Sequence, residues 1–178
     1  SDMGTLLFVS RDRAGVGRIS ARAVVQTFNP FAAGAVGPAG PAFAADAIPL
    51  AQLDTTAESF DRHLAVNARA SLLLIAAFAR QVPAGGGPIL AFTSDHTTGN
   101  LPYGASKGAL DRIVISAARE LGPLGISANV VNPGPIDTGW MDQPLREALA
   151  ARHPLGRLGT PADIAAVVSF LVSEEGRW

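Results

Sequence analysis

The sequence predicts a single doubly wound α/β domain, in which helices cover both faces of a parallel sheet. Two observations predict this fold: short apolar runs alternate with longer helical patterns, and a glycine-containing turn follows the first run. A length of 178 residues suits one domain with a hydrophobic core, which we place at residues 3–178. Ser1 and Asp2 precede Met3 and are left out of the fold prediction.

The first part of the chain predicts few regular elements. Residues 5–9 form an apolar run that indicates a strand, and residues 19–25 could continue as a helix after the turn with Gly15 and Gly17. A strand, a glycine turn and a helix are how a nucleotide-binding unit begins. Residues 31–49 are mostly Ala, Gly and Pro without a period of 2 or 3.6, so we predict irregular structure there.

Strands and helices alternate more clearly in the second part. Thr55 and Glu58 have the spacing of a capping box, and the long buried helix that follows ends before Pro83. The remaining predicted elements, in order, are a strand over residues 88–93, a helix over 103–121, a strand over 126–131 and a helix from Thr160 to about Val172.

The composition argues against several classes of function. With 16% charged residues and a formal net charge of -1, the chain has no electrostatic footprint for nucleic acid or an anionic membrane, so we expect a small-molecule substrate. Cysteine is absent and the three histidines are scattered, which predicts no metal site. We find no signal peptide and no apolar run near the roughly 20 residues that cross a bilayer, so we expect a cytoplasmic protein. Its richness in Ala, Gly and Arg hints at a bacterial gene.

The strongest chemical signal is Tyr103 followed by Lys107 in the predicted helix over residues 103–121. Residues four apart emerge on one face of a helix, so the two side chains should lie close together. A tyrosine with an ordinary pKa of about 10 is a poor acid or base at neutral pH, but a nearby ammonium favours the phenolate and lowers that pKa. The pair is a candidate proton donor and acceptor, although the same spacing also occurs on exposed surface helices.

Its context resembles the catalytic half of the classical short-chain dehydrogenase/reductase family. Residues 103–107 read Tyr-Gly-Ala-Ser-Lys, and three further segments are similar to family segments and occur in the same order. They are Val-Asn at residues 66–67, Pro-Gly-x-Ile-x-Thr at residues 133–138 and the late helix start at residues 156–165. The resemblance covers roughly residues 53–178. It implies a three-layer, Rossmann-like fold and an NAD(P)-dependent oxidoreductase for a ketone or secondary alcohol, with the 3-oxoacyl-carrier-protein reductase branch as one candidate.

The resemblance also implies a role for each matched residue. Tyr103 would exchange a proton with the substrate oxygen, and Lys107 would assist it and hydrogen-bond the nicotinamide ribose. Asn67 would hold a water of the proton relay, unless it is simply a satisfied core asparagine. The segment that lines the nicotinamide end of the cofactor, or else forms only a structural turn, contributes Pro133, Gly134, Ile136 and Thr138.

Ser94 would hydrogen-bond the substrate carbonyl and stabilise the charge that develops there. It departs from the family pattern, because it lies only nine residues before Tyr103 and Leu90 stands at the customary separation. The hydroxyls of Thr93, Thr97 and Thr98 therefore compete with Ser94 for this role. His96 on the same loop either contacts substrate or is a solvated loop histidine.

The glycine motif near the N-terminus is degraded. The family pattern reads Thr-Gly-x-x-x-Gly-Ile/Leu-Gly, and here Ser10 and Arg11 stand in place of Thr-Gly. We nevertheless predict cofactor binding there by Ser10, Arg11, Gly15, Val16 and Gly17. Arg11 and Arg13 could meet a 2'-phosphate, which slightly favours NADP over NAD.

The family's first half is compressed in this sequence. Residues 18–53 are too few for two further strand and helix units of roughly 30 residues each. We therefore expect that segments are missing between residues 18 and 53 and after residue 178. The alternative is a shortened, non-catalytic Rossmann-like binding or regulatory protein that has lost its cofactor. A hydrolase built on Ser94 and His96 is a weaker third reading, because the Gly-x-Ser-x-Gly motif is absent.

Two further expectations concern apolar surfaces. The apolar cluster formed by residues 113–115, 117 and 118 exceeds what one buried helix face needs, so we predict a homodimer or homotetramer. Trp140 and Met141 follow the segment that resembles the nicotinamide loop, and they either form an apolar lid over substrate or pack into the core.

Overall fold

The computed structural model describes residues 6–8, 55–82, 84–96, 99–139 and 141–177. Within these ranges the elements, in chain order, are β1 (Leu6–Phe8), α1 (Ala57–His63), a π-helical segment (Leu64–Arg69), α2 (Ala70–Gln81), β2 (Gly87–Phe92), α3 (Leu101–Glu120), a 3-10 turn (Gly122–Leu124), β3 (Ile126–Val131), α4 (Gln143–Arg152) and α5 (Pro161–Leu171). The predicted glycine turn, the helix over residues 19–25 and the irregular stretch over residues 31–49 lie outside the described residues.

The strands form one sheet in the order β1–β2–β3. β2 and β3 are parallel, in register from Gly87 opposite Ile126 to Phe92 opposite Val131, and α3 lies between them in the chain. This unit confirms the predicted α/β class. β1 differs from the expectation of a parallel strand, because it pairs with β2 in the antiparallel direction. The antiparallel ladder is slightly more stable per residue, which suits a strand of three residues.

The core lies between the sheet and the helices α2 and α3. Its buried members are Ile75, Ile89, Ala91, Leu110, Val114, Ala117 and Ile126. Side chains alternate along a strand, so Leu90 points to the face opposite Ile89 and Ala91, and it is also buried. Helix α5 contacts β2. β2 is therefore buried on both faces, as expected for a strand inside an α/β sheet.

Local hydrogen bonds explain where the helices begin. The N-cap of α1 is Thr56, whose hydroxyl accepts from the Ser59 amide at 3.2 Å, so the capping box predicted at Thr55 is wrong by one residue. α3 begins at Leu101, two residues before the prediction, because the Asn100 side chain caps it. The predicted cap at Thr160 is confirmed, and it forms a full capping box with Asp163.

Two elements were not predicted. The six-residue π-helical segment interrupts the long helix predicted before Pro83, and α4 lies where no helix was assigned. No helix among the described residues meets the length and hydropathy needed for a membrane span. The same part of the chain contains no cluster of three or more His, Asp or Glu side chains placed to hold a metal ion.

Candidate active site

Tyr103 and Lys107 lie in the first turns of α3, beside the C-terminal end of β2. Lys107 is only 1% exposed, and its Nζ donates a hydrogen bond of 2.8 Å to the carbonyl of Phe92, the last residue of β2. The same Nζ lies 5.7 Å from the centre of the Tyr103 ring. The structure thus brings the predicted pair together at the edge of the sheet where open α/β folds bind ligands.

The amino-acid composition also singles out this pair. Tyr103 is the only tyrosine of the chain, and Lys107 is the only lysine among its 14 Lys and Arg residues. The chain otherwise uses arginine, which is always charged and which keeps its charge when paired. A unique lysine four residues after a unique tyrosine indicates that this position needs an ammonium rather than just any cation.

Asn67 links the π-helical segment to α3. It is 6% exposed, and its Nδ2 donates to the Ser106 hydroxyl at 2.9 Å. Ser106, which is fully buried, donates in turn to the main-chain carbonyl of Tyr103 at 2.7 Å. One buried and one partly buried hydrogen bond therefore fix the backbone that carries Tyr103. Ser106 was not predicted as a site residue, although its place between the tyrosine and the lysine of the motif offered the signal.

Asn67 lies within the π-helical segment. The wider turn of this segment occurs rarely, mostly as a local bulge inside an α-helix, and often at functional sites. The apolar pattern of the sequence has the period of an ordinary helix, so it held no sign of the wider turn. This local widening is the place at which the α1 to α2 region meets α3.

The loop after β2 also contacts Tyr103, through the ring of His96. Ser94 is half-buried, and its hydroxyl accepts a hydrogen bond of 3.2 Å from the His96 amide. The His96 ring lies edge-on to the Tyr103 ring, with 5.8 Å between ring centres. The Thr93 hydroxyl is buried and has no hydrogen-bond partner in the part of the chain that the structure describes. Thr97 and Thr98 lie outside the described residues.

The segment after β3 begins at the same edge of the sheet, because Phe92 and Val131 are paired at the ends of their strands. Gly134 has a φ of +66°, a conformation that favours glycine, and the space that a Cβ would enter there is open. Ile136 forms a parallel bridge with Gly159, just before α5. A Cβ on Gly159 would crowd the Cδ1 at the end of the Ile136 side chain, so a larger residue there would require that side chain to shift.

Half-exposed and exposed polar contacts hold the rest of this loop. Asp137 pairs with Arg146 of α4 at 3.2 Å, which ties the loop to that helix. At the start of α5, the guanidinium of Arg157 and then the amide and hydroxyl of Thr160 hold the pKa of Asp163 well below its usual range. Met141 is buried, whereas Trp140 lies outside the described residues.

The described residues fit the nicotinamide end of a dinucleotide. A buried ammonium, a tyrosine hydroxyl and an open glycine turn lie at the C-terminal edge of two parallel strands, where such cofactors bind. The predicted contacts for the other end of the cofactor, at Ser10, Arg11, Gly15, Val16 and Gly17, lie outside the described residues.

Comparison with protein families gives the class of this site. A family model described as Enoyl-(Acyl carrier protein) reductase matches residues 38–178. A protein of Sus scrofa named Dehydrogenase/reductase SDR family member 4 is 37% identical over 136 residues, which are 71% of this chain and 49% of that protein. The chain belongs to the short-chain dehydrogenase/reductase family.

Further relatives agree in sequence and in fold. Uncharacterized oxidoreductase YjdA of Bacillus subtilis (strain 168) is 43% identical over 129 residues, covering 68% of this chain and 51% of that protein. The angucycline C-6 ketoreductase LanV, solved as a crystal structure with bound NADP, has 37% sequence identity to this chain and a TM-score of 0.65. The match covers 71% of this chain and 51% of the LanV chain. The chain spans about half the length of the curated relatives it matches.

Proposed function

We propose that this chain carries the catalytic part of an NADPH-dependent reductase that interconverts a ketone or aldehyde and the corresponding alcohol. The observation that carries the proposal is the buried Lys107, held on the carbonyl of Phe92 and 5.7 Å from the ring of Tyr103. A surface pair at this spacing would leave the lysine in water, since lysine is almost never buried without a partner. Burial of a unique lysine beside a unique tyrosine supports a chemical role.

Each side chain has a defined task in this proposal. The hydride for the carbonyl carbon would come from a nicotinamide bound at this site. Tyr103 donates its hydroxyl proton to the carbonyl oxygen, and the ammonium of Lys107 favours the phenolate that this transfer leaves. Ser94 donates a hydrogen bond to the same carbonyl oxygen and stabilises its developing charge.

Asn67 is proposed to serve the proton relay. Because its amide nitrogen is engaged by Ser106, the groups that would hold a relay water are its amide oxygen and its main-chain carbonyl. The segment from Pro133 to Thr138 would bind the nicotinamide end through its main chain, and the open space at Gly134 supports this placement.

The preference for NADP rests on the relatives and on sequence. A chloroplast protein of Arabidopsis thaliana that is 37% identical over 134 residues is named an NADPH-dependent aldehyde reductase-like protein, and BdcA was solved in complex with NADPH. Arg11 and Arg13 are the candidates for the 2'-phosphate in this chain.

The test is a direct measurement of cofactor binding and turnover. We expect tighter binding of NADPH than of NADH, and NADPH oxidation with a panel of aldehydes and ketones. Lys107→Met should lower both kcat and NADPH affinity by 10-fold or more, on the order of one lost charged hydrogen bond. The matched control is Arg112→Ala, which removes an exposed cation from the same helix. Equal binding and turnover by the Lys107 variant and the control would refute the proposal.

We also infer that the protein self-associates through α2 and α3. Much of the predicted apolar cluster is used inside the monomer, where Val114 and Ala117 are buried. Ile115 on α3 and Leu72 and Leu73 on α2 stay exposed. Leu73→Gln should shift a dimer or tetramer toward the monomer in sedimentation experiments, whereas Leu155→Gln, at another exposed leucine, should not.

A further inference from the structure

His63 is the last residue of α1, one helical turn before Asn67, and it is only 9% exposed. Its Nδ1 lies 2.7 Å from the main-chain carbonyl of Ser59. A carbonyl oxygen can only accept a hydrogen bond, so Nδ1 must carry the proton of this contact. In the neutral ring Nε2 is then an acceptor, fixed in direction by the contact to Ser59.

That acceptor is buried, and no donor within the described residues reaches it. Buried polar atoms of native proteins are nearly always paired, and an ordered water commonly supplies the partner where protein groups do not. The neighbourhood is polar enough to hold one, because Asn67 and Ser106 occupy the next turn and the facing helix. Nε2 of His63 therefore has the properties of a water ligand.

The His63 ring also lies next to Tyr103. The two rings meet edge to face at 73°, with 6.5 Å between their centres. No described group hydrogen-bonds Nε2 of His63, and one water can bridge two polar groups that do not bond directly. Asn67 and Ser106 fix the backbone of Tyr103, and His63 stands beside its ring.

We infer that His63 is a positioning residue for Tyr103, with Nε2 accepting one O–H of an ordered water whose other O–H donates to the tyrosine oxygen. This inference rests on the proposed function only in treating Tyr103 as the proton donor. The water stabilises the phenolate after Tyr103 has given up its proton, because it donates a hydrogen bond to that oxygen.

Two other titratable side chains face the Tyr103 ring. Lys107 approaches it from the next turn of α3, and His96 approaches it from the exposed loop after β2. Both stay unchanged in the variants below, so their effects cancel in the comparison. His63 is the buried member of the two histidines.

The test separates the two nitrogens of His63. In His63→Asn the amide nitrogen can replace Nδ1 and keep the bond to Ser59, but the acceptor at Nε2 is lost. In His63→Gln the amide can place an acceptor near Nε2, but the bond to Ser59 is lost. His153→Asn, at the C-terminal end of α4, is the matched control. Because Tyr103 is the only tyrosine, near-ultraviolet absorbance of tyrosinate reports its ionisation alone in the full chain.

We expect the midpoint of tyrosinate formation to move to higher pH in His63→Asn, and to stay near the wild-type value in His63→Gln and in His153→Asn. In turnover, His63→Asn should lower kcat by about 3- to 10-fold with little change in KM, as expected for one neutral hydrogen bond. His63→Gln should instead have a lower melting temperature than the wild type, while its midpoint of tyrosinate formation stays near the wild-type value.

The inference is overturned if the midpoint is the same in all four proteins, since His63 would then only pack against the ring. It is also overturned if His63→Gln shifts the midpoint as far as His63→Asn, because the acceptor would then be irrelevant. The absorbance titration needs no cofactor or substrate, so a chain that fails every reductase assay still tests it.

Discussion

The surroundings of Tyr103 and the loop after β3 lie at the same edge of the sheet, yet they are held by different kinds of contact. The Tyr103 backbone is held by two buried polar side chains that bond to each other, in the path from Asn67 through Ser106 to the Tyr103 carbonyl. The loop after β3 is held by half-exposed or exposed ion pairs, between Asp137 and Arg146 and between Arg157 and Asp163, and by the main-chain bridge of Ile136 with Gly159.

The difference has an energetic consequence. Removal of one partner from a buried hydrogen bond leaves the other unsatisfied, which costs about 1–3 kcal/mol, whereas exposed ion pairs contribute little and are screened by salt. Breaking the side-chain bonds that hold the Tyr103 backbone is therefore costlier than breaking the ion pairs of the segment proposed to bind the nicotinamide, although that segment also keeps its main-chain bridge from Ile136 to Gly159. A proton donor needs a fixed position, whereas a loop over a ligand must open and close.

The largest effect is expected for Tyr103→Phe, which removes one oxygen from the rigid region. We expect kcat to fall by on the order of 10² to 10⁴, the usual contribution of a general acid, with fold and cofactor affinity close to wild type. Steady-state kinetics, NADPH titration and circular dichroism measure the three quantities. Turnover at the wild-type rate would remove Tyr103 from the mechanism.

Ser94→Ala tests the loop between β2 and α3. We expect kcat to fall by on the order of 10² to 10³, as for the loss of one donor to a developing oxyanion. Thr93→Val is the matched variant, because the Thr93 hydroxyl is buried and without a partner among the described residues. A larger loss in Thr93→Val, or in the alanine variants of Thr97 or Thr98, would reassign the role.

A double-mutant cycle on Asn67 and Ser106 tests the rigidity itself. Ser106→Ala should lower the free energy of unfolding by about 1–3 kcal/mol, because it leaves the buried Asn67 amide nitrogen without this acceptor. Asn67→Ala should lower it by less, because the Ser106 hydroxyl loses its donor but still donates to the Tyr103 carbonyl. The double variant should lose less than the sum, since the two residues share one bond. Urea unfolding measures the coupling. Strict additivity would show that the bond does not stabilise the fold.

The two regions also differ in how well the sequence predicts them. β3 was predicted with the observed bounds and the Thr160 cap was predicted correctly, because both depend on neighbouring residues alone. The contact of Tyr103 with Lys107 was predictable for the same reason, since four residues of helix place them together. The antiparallel direction of β1 and the choice of Thr56 as the N-cap of α1 were not predictable, because strand pairing and competition between caps are decided by tertiary contacts.

The parts of the site that sequence reasoning missed come from distant segments. Ser106 bonds to Asn67, which lies 39 residues earlier in the chain, and His63 of α1 contacts the ring of Tyr103 of α3. Nothing in local periodicity indicates such contacts, and the π-helical segment that allows them follows an ordinary apolar pattern. α4 was missed for a related reason, because it buries no residue and so shows little amphipathic pattern.

The smallest effect is expected for Asp163→Asn in the exposed region. Arg157 and Thr160 hold the pKa of Asp163 below its ordinary value, so its ionised form stabilises the folded state. A depressed folded-state pKa gives a stabilisation that is present above the ordinary carboxylate range and is lost as the pH falls toward the folded-state value. The variant should therefore melt a few degrees lower at most near neutral pH, and its difference from wild type should shrink on acidification and in high salt. Differential scanning calorimetry over a pH series measures this, with Glu174→Gln, another exposed ion-pair carboxylate, as the control. If the difference in melting temperature between Asp163→Asn and wild type stayed constant down to acid pH, the charge of Asp163 would not stabilise the fold. The start of α5 would then be held by the neutral cap alone.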